Sequence, residues 1–428
     1  MAISNFKIKE ISLEKNGQSN DFTRGISRID YYEDVLSPTV ICDLTFVDGD
    51  GVAGRLPING GELVNIEIES EFPTRQILSF RTEDGNPLCV MNSSIMPTSQ
   101  NQMFSLRLMN DDLLKNETSR VVRKYSATIS STIQSILEDD NLIATQRNTD
   151  RINPTQNSYT FIGSFKRPFD VISWLCPKSN SASNSSNGSE GTSSGGFLFF
   201  ETKEGYNFIG IDDTFNDSSE VIELFQSDVP LQKSDPQFYR SFSDIQIVKN
   251  NDVFKSLRNG AYSHLSIFYD VYEMSYDVIT TKLSDKYNSG GLKSSNSDAS
   301  SVSLPNGLEN SPSRLMFRIL DRGYLNPDGE QFDSDQVAKD QADSYMRYNI
   351  LFANSVKVTL PLNLELSAGQ IVQLNIAQTG QNIRSTRDKY DRNLSGKYMI
   401  SKLRHSMLGE NNFTSLELIR DSYGIESE

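Results

Sequence analysis

The sequence predicts a mainly β protein: two similar antiparallel β-barrel-like domains from an internal duplication, with an α+β region inserted at the periphery. Three observations carry this. First, from Asn354 to Tyr423 apolar and polar residues alternate in successive runs: Val356, Val358 and Leu360, then Ile371 to Ile376, Tyr398 to Leu403 and Phe413 to Ile419. That is the pattern of half-buried strands in a meander. Second, the same unit stands near the N-terminus. Gly61-Glu62-Leu63-Val64-Asn65-Ile66 parallels Gly369-Gln370-Ile371-Val372-Gln373-Leu374, and Ser105-Leu106-Arg107-Leu108 parallels Ser415-Leu416-Glu417-Leu418. The two matches are separated by 45 residues in the first copy (106 − 61) and 47 in the second (416 − 369), with Leu88 to Ile95 falling where Lys397 to Arg404 does. Agreement in register over that distance marks a duplicated domain. Third, the region between the copies changes character, with helical spacing and a low-complexity tract.

In chain order, Phe6 to Ile11 and Val40 to Phe46 alternate as strands. Asp48-Gly49-Asp50-Gly51 reads as a turn; it lacks the D-x-D-x-D-G spacing and the Glu at position twelve that a calcium loop needs. Pro57 presets φ before a turn in which Gly60-Gly61 allows positive φ. Ser126 to Leu137 carries Ile129, Ile133, Ile136 and Leu137 at helical spacing. Phe169 to Leu175, after Arg167-Pro168, reads as a second helix that packs the single tryptophan, Trp174, and is ended by Pro177. The Ser/Asn/Gly tract Ser179 to Gly196 reads as a flexible surface insertion rather than a moving lid, because long insertions cost little closure entropy. Phe197 to Phe200, Tyr206 to Ile211 and Val221 to Phe225 complete a small α+β unit. Tyr239 to Lys249 and Gly260 to Met274 are expected as long strands, Ser284 to Ser303 as a loop and Arg314 to Leu320 as a strand. Asp333 with Gln336 fits a capping box for a helix whose apolar face is Val337, Ala338, Gln341, Ala342, Tyr345 and Met346.

Composition narrows the function classes. The 428 residues have room for about three domains. A hydrophobic content of 36% with 23 Phe and 17 Tyr supplies folded cores. The net charge of −15 argues against a general nucleic-acid-binding surface, which needs clustered Lys and Arg. Cys42, Cys89 and Cys176 have no metal-binding spacing and form no CxxC, so they read as reduced and structural. The N-terminal MAISNFKIKEISLEKNG has no signal-peptide pattern, and no window approaches the ~18 continuous apolar residues of a membrane span. There is no HExxH, GxSxG or P-loop; His264 and His405 lie in strands without a second ligand at fixed spacing and read as structural. The sequence therefore offers no catalytic, cofactor-binding or metal residues.

The run Tyr31-Tyr32-Glu33-Asp34-Val35-Leu36-Ser37-Pro38 ahead of a strand, followed by Leu56-Pro57-Ile58-Asn59-Gly60-Gly61-Glu62, resembles the N-terminal domain of the baseplate central hub protein of T4-like contractile-tailed bacteriophages. In that family an acidic-aromatic segment leads into a strand and an LPI-x-GGE turn into the next. AGQIVQLNI followed by SGKYMISKLRH resembles the matching C-terminal domain of the same family and of related tail and secretion-system hubs. The likeness covers both ends of the chain well and the middle loosely. It implies a first barrel at 1–115, a peripheral α+β domain at 116–237 with the loop 179–196, a second, discontinuous barrel at 238–275 and 333–425, and an insertion at 276–332. By the resemblance, Gly260 to Met274 belongs to the second barrel.

The resemblance further implies a non-enzymatic structural subunit without cofactors. It would form a homotrimer whose six similar barrels make a pseudo-sixfold ring between a sixfold tail tube and a threefold central spike. The implied partners are the spike, tube or tube-initiator proteins and other baseplate proteins, with DNA passing through unbound. The implied location is the virion tail, assembled in the host bacterial cytoplasm. Two alternatives stay open: the hub of a related contractile injection or type VI secretion system, which a fused OB-fold and β-helix would favour though the chain shows neither, and a tail-associated cell-wall hydrolase.

Overall fold

A computed structural model of the chain describes residues 6–48, 51, 58–71, 74–97, 101–182, 195–216, 221–227, 231–242, 244–249, 252–271, 273–288, 304–320, 334–378, 390–391, 393–409 and 411–421. The first eight strands are β1 (Phe6–Lys15), β2 (Gln18–Asp21), β3 (Ile26–Asp34), β4 (Ile41–Asp48), β5 (Leu63–Ser70), β6 (Gln76–Phe80), β7 (Leu88–Pro97) and β8 (Gln102–Asn110). Neighbours run β1-β5-β7-β8-β4-β3, all antiparallel. β2, which leads into β3, folds back on β1 with Ser12 opposite Asp21, and Phe22 N continues that hairpin by donating to Ile11 O (2.9 Å). Alternation does what it should: Val64, Ile66 and Ile68 of β5 and Phe104, Leu106 and Leu108 of β8 point inward and are buried.

The middle of the chain forms β9 (Lys124–Thr128), β10 (Arg151–Ile152), β11 (Ser158–Ile162), β12 (Phe197–Thr202) and β13 (Gly205–Gly210), with helices Ile129–Glu138 and Pro168–Leu175. The first helix starts three residues later than expected, because Ser126 to Thr128 extend β9 and Thr128 then caps the helix by accepting from Ser131 N. Its Ile129, Ile133, Ile136 and Leu137 are fully buried against Phe161, Phe169 and Phe208. The Ser/Asn/Gly tract is not loose at its ends. Ser179, Asn180 and Ser181 are buried, and Asn180 bridges to Gly195 and Ser181 to Thr155; residues 183–194 lie outside the described residues.

Then come β14 (Ile222–Gln226), β15 (Ser241–Phe242) and β16 (Asp244–Lys249), followed by β17 (Ser263–Asp270), β18 (Ser275–Lys282) and β19 (Arg314–Ile319). The chain ends in helix Ser334–Leu351 and strands β20 (Asn354–Pro361), β21 (Ile371–Asn375), β22 (Gly396–Leu408) and β23 (Asn411–Arg420). The second barrel runs β14-β21-β22-β23-β20-β16, and β15, just before β16, closes it by pairing with β14. Two sequence expectations fail here. Val221 to Phe225 does not complete the α+β unit; as β14 it joins the second barrel, parallel to β21 with Ile222 opposite Val372. Gly260 to Met274 does not enter the second barrel; as β17 it pairs with β18 and β19 in a separate sheet. Strand propensity is local, whereas the choice of sheet rests on partners far away in sequence. The helix expected from Val337 onward is present and buries Ala338, Ala342 and Met346, but Asp333 of its expected cap lies outside the described residues.

The duplication holds to the level of single hydrogen bonds. In β7 the register shifts between Val90, opposite Leu108, and Asn92, opposite Arg107. In β22 it shifts between Ile400, opposite Leu418, and Lys402, opposite Glu417. The offset is constant (400 − 90 = 418 − 108 = 310), so the same β-bulge occurs at the same place in both copies. Gly61 N donates to Val90 O and Gly369 N to Ile400 O, each at 2.8 Å; the return bonds, Val90 N to Glu62 O and Ile400 N to Gln370 O, are both 2.9 Å. Both glycines sit at positive φ (85° and 81°), which a side chain would strain. The copies differ at β1, antiparallel to β5, against β14, parallel to β21. In the first copy the Glu62 carboxylate finishes the turn by accepting from Asn59 N (2.8 Å), Gly60 N (2.9 Å) and Lys15 Nζ (2.6 Å). Burial pushes its pKa up, but Lys15 and the backbone donors outweigh this and hold it below the usual carboxylate range.

Candidate assembly surfaces

The two barrels are joined edge to edge by β3 and β22. The pairs run from Lys402 opposite Asp34 to Met407 opposite Ile29. Because strand side chains alternate, one face of this joint is a core and the other a surface. On the core face Tyr31 stacks on His405 (ring centroids 6.1 Å apart) and Met407 meets Ile29, all of them buried. His405 accepts or donates at Nδ1 to Thr414 Oγ1 (2.9 Å), and burial, helped by Lys203 nearby, pulls its pKa down to about 3. It is a neutral core histidine across the physiological range. His264, in β17, is likewise buried with Nδ1 on Gly260 O (3.0 Å).

Glu33 ties the joint to everything around it. Its carboxylate accepts from Tyr31 OH (2.8 Å), from Lys203 N (2.9 Å) in the β12–β13 turn, and from Ala368 N (2.6 Å) in the turn before β21. Burial raises its pKa, against the pull of Lys203 and these donors. A second buried carboxylate, Glu201 of β12, accepts from Val40 N (2.9 Å) and Asn110 Nδ2 (2.7 Å) and lies 3.3 Å from Arg147 Nε. Burial raises its pKa to about 7 although Arg147 pulls the other way. Arg147 also reaches Asp111 Oδ1 (3.1 Å) and Pro87 O (2.7 Å). These two acids fasten the middle unit to the first barrel. On the other side, Arg347 of the long helix bridges Asp212 (2.8 Å) and Asp421 (2.7 Å), all three buried, and so fastens the middle unit to the end of β23. Alternation with Tyr31 places Glu33 on the inward face, but the partners of these groups were not visible in the sequence. Glu62 carried a signal of its own, as an acid placed directly after a Gly-Gly turn.

The surface face of the joint forms a groove of about 490 Å³ whose walls include Tyr32, Asp43, Arg107, Lys357, Arg404 and Glu417. Its charges are matched pair by pair. Arg107 meets Asp43 (2.9 Å), Lys357 meets Glu417 (3.8 Å), Lys402 meets Asp34 (3.1 Å) and Arg404 meets Asp30 (2.9 Å). Arg107 and Glu417 occupy equivalent places in the two copies, so the β8–β4 pair is the β23–β20 pair with its signs reversed. Elsewhere, the three-stranded sheet buries Phe268 on one side and exposes Tyr276, Val278, Leu315, Phe317 and Ile319 on the other, with Phe317 73% exposed.

Two absences hold among the described residues. No three His, Cys, Asp or Glu side chains come together as a metal site, and no helix is long and apolar enough to cross a membrane. All three cysteines are free and buried, and burial raises their thiol pKa values, to about 11 at Cys89 and about 12 at Cys176. Gly51, at the end of the Asp48 to Gly51 stretch, has φ 68°; residues 49–50 lie outside the described residues.

No family model matches the chain, and no curated protein matches it in sequence. Solved structures do. The tail protein from Neisseria meningitidis MC58 superposes with a TM-score of 0.54 at 10% identity, over 97% of this chain and 97% of that one. The 43 kDa tail protein of prophage MuSo2 from Shewanella oneidensis superposes with a TM-score of 0.53 at 10% identity, over 96% of this chain and 98% of that one. From end to end, the duplicated barrels and the unit clamped between them make up the fold of these two tail proteins.

Proposed function

We propose that the chain is a structural subunit of a phage tail baseplate hub. Three copies form a ring of six barrels that joins a sixfold tail tube to a threefold central spike and leaves a channel for DNA. The observation that carries this reading is the duplication. Two barrels with the same turn, the same bulge and the same strand order offer two near-equivalent surfaces per chain, so a threefold assembly offers six. The fold shared with two tail proteins supports the setting. The groove across the joint, with each cation matched by a carboxylate, suits a channel wall that lets a polyanion pass without holding it. The exposed apolar face of β17 to β19 is a contact surface for another baseplate protein, and the clamps at Glu201 and Arg347 hold the middle unit rigid beside the ring. Electron microscopy of the purified chain tests the reading. Class averages should show rings with six similar lobes, three copies and a central hole; only compact single copies would overturn it.

A further inference from the structure

The duplication identifies two strand edges that match each other. Within the chain, β22 from Lys402 to Met407 pairs with β3. The equivalent stretch of β7, at the offset of 310, is Asn92 to Pro97. Beyond Val90, β7 pairs only with β8 among the described residues, so the edge that β22 gives to β3 is open in β7. The equivalent of β3 is β16. Tyr31 opposes Cys42, which opposes Leu108; Ile247 opposes Val356, which opposes Leu418. Leu108 and Leu418 are equivalent, so Ile247 stands where Tyr31 does. Among the described residues β16 pairs only with β20, and its other edge is open as well.

Free edges are usually blunted by charges or bulges against aggregation; β16 has a register shift between Ile247 and Lys249, yet both edges still present apolar residues. Ile95 is 50% exposed, Met96 59%, Ile247 46% and Val248 48%. Their equivalents in the internal joint are covered: His405 stands for Ile95 and Tyr31 for Ile247, both at 0%. We propose that β7 of one copy pairs antiparallel with β16 of the next copy, in the register that β22 keeps with β3. This rests on the ring reading above and names its joint. Substituting equivalents into the internal register places Ile95 opposite Ile247 and Pro97 opposite Ile245. Pro97 lacks an N–H and ends the ladder. On the groove face, Ser94 and Gln246 replace Arg404 and Asp30, so the joint between copies is held by apolar contact and backbone pairing rather than by ion pairs. It therefore keeps its strength when salt is added.

The test is cross-linking of the full chain carrying Ile95→Cys and Ile247→Cys together. The native cysteines are buried and do not compete. Mild oxidation should give a disulfide ladder of two and three linked chains, absent from either single variant and from the opposite-face pair Met96→Cys with Ile247→Cys. Ile247→Lys, read by light scattering with circular dichroism as the folding control, should weaken assembly at least tenfold. A trimer that forms without the in-register cross-link, or that tolerates Ile247→Lys, overturns this joint and leaves the ring standing. A folded chain that stays monomeric and uncross-linked overturns both.

Discussion

Glu33→Ala should both destabilise the protein and uncouple its parts. The substitution removes the acceptor for Tyr31 OH, Lys203 N and Ala368 N at 2.8, 2.9 and 2.6 Å. Ala368 is 1% exposed and Tyr31 0%, so water reaches these donors poorly. A buried donor left without a partner costs about 1–3 kcal/mol. With three donors, and some water entering the vacated space, the loss should come to about 3–6 kcal/mol. The location matters as much as the size, because the donors belong to the first barrel, the middle unit and the turn of the second barrel. Two probes separate these parts. Fluorescence of the single tryptophan, Trp174, packed on Phe161 at 5.3 Å, reports the middle unit, and far-ultraviolet circular dichroism reports mainly the barrels. In the native chain the two urea transitions should coincide. In Glu33→Ala both should fall, with the tryptophan transition separating to lower urea. An unchanged midpoint, or two transitions that fall together without separating, would refute the argument that this carboxylate couples the three parts.

Equivalent glycines should respond unequally. Gly61→Ala meets only backbone strain, because nothing lies within 4 Å of an added Cβ, and should cost about 1–2 kcal/mol. Gly369→Ala would also drive its Cβ to 2.5 Å from the Phe200 ring, adding about 1–3 kcal/mol of overpacking in a denaturant melt. Glu201 should shape the stability profile. Its pKa rises from 4.5 to about 7 on folding, so the stability it contributes is complete below the unfolded value and is lost as pH rises through 7. Glu201→Gln should therefore flatten the decline between pH 4.5 and 8 by roughly 3 kcal/mol; a variant with an undiminished slope would count against the assignment. Duplex DNA at low salt should show no salt-releasable binding to the assembled protein, measured by fluorescence anisotropy. A steep loss of binding with added salt would reveal a basic channel and contradict the charge-matched groove.

The barrels were legible because alternation and turn chemistry are local. Val356, Val358 and Leu360 declare an inward face by themselves, and Gly61 and Gly369 declare their turns. The duplication was legible because matching residues kept their spacing. Sheet membership was less so. Ile222 to Gln226 and Ser263 to Asp270 both read correctly as strands, yet β14 finds its partner Val372 some 150 residues on, and β17 finds Arg314 to Ile319. Nothing near those strands encodes that choice. The buried acids were the least legible. In Ile29-Asp30-Tyr31-Tyr32-Glu33-Asp34 the three acids look alike, but Asp30 and Asp34 lie on the groove face with Arg404 and Lys402, while Glu33 turns into the core. Its partners Lys203 and Ala368 are 170 and 335 residues away. The interior position of Glu33 does follow from alternation with Tyr31; only its donors required the structure.

The central claim is that a duplicated chain closes into a threefold ring. Light scattering of the purified protein at tens of micromolar measures this directly. The chain is 48.1 kDa, so the claim predicts a mass of about 144 kDa (3 × 48.1), held at low and high salt alike. A mass of 48.1 kDa from a chain folded by circular dichroism would contradict it.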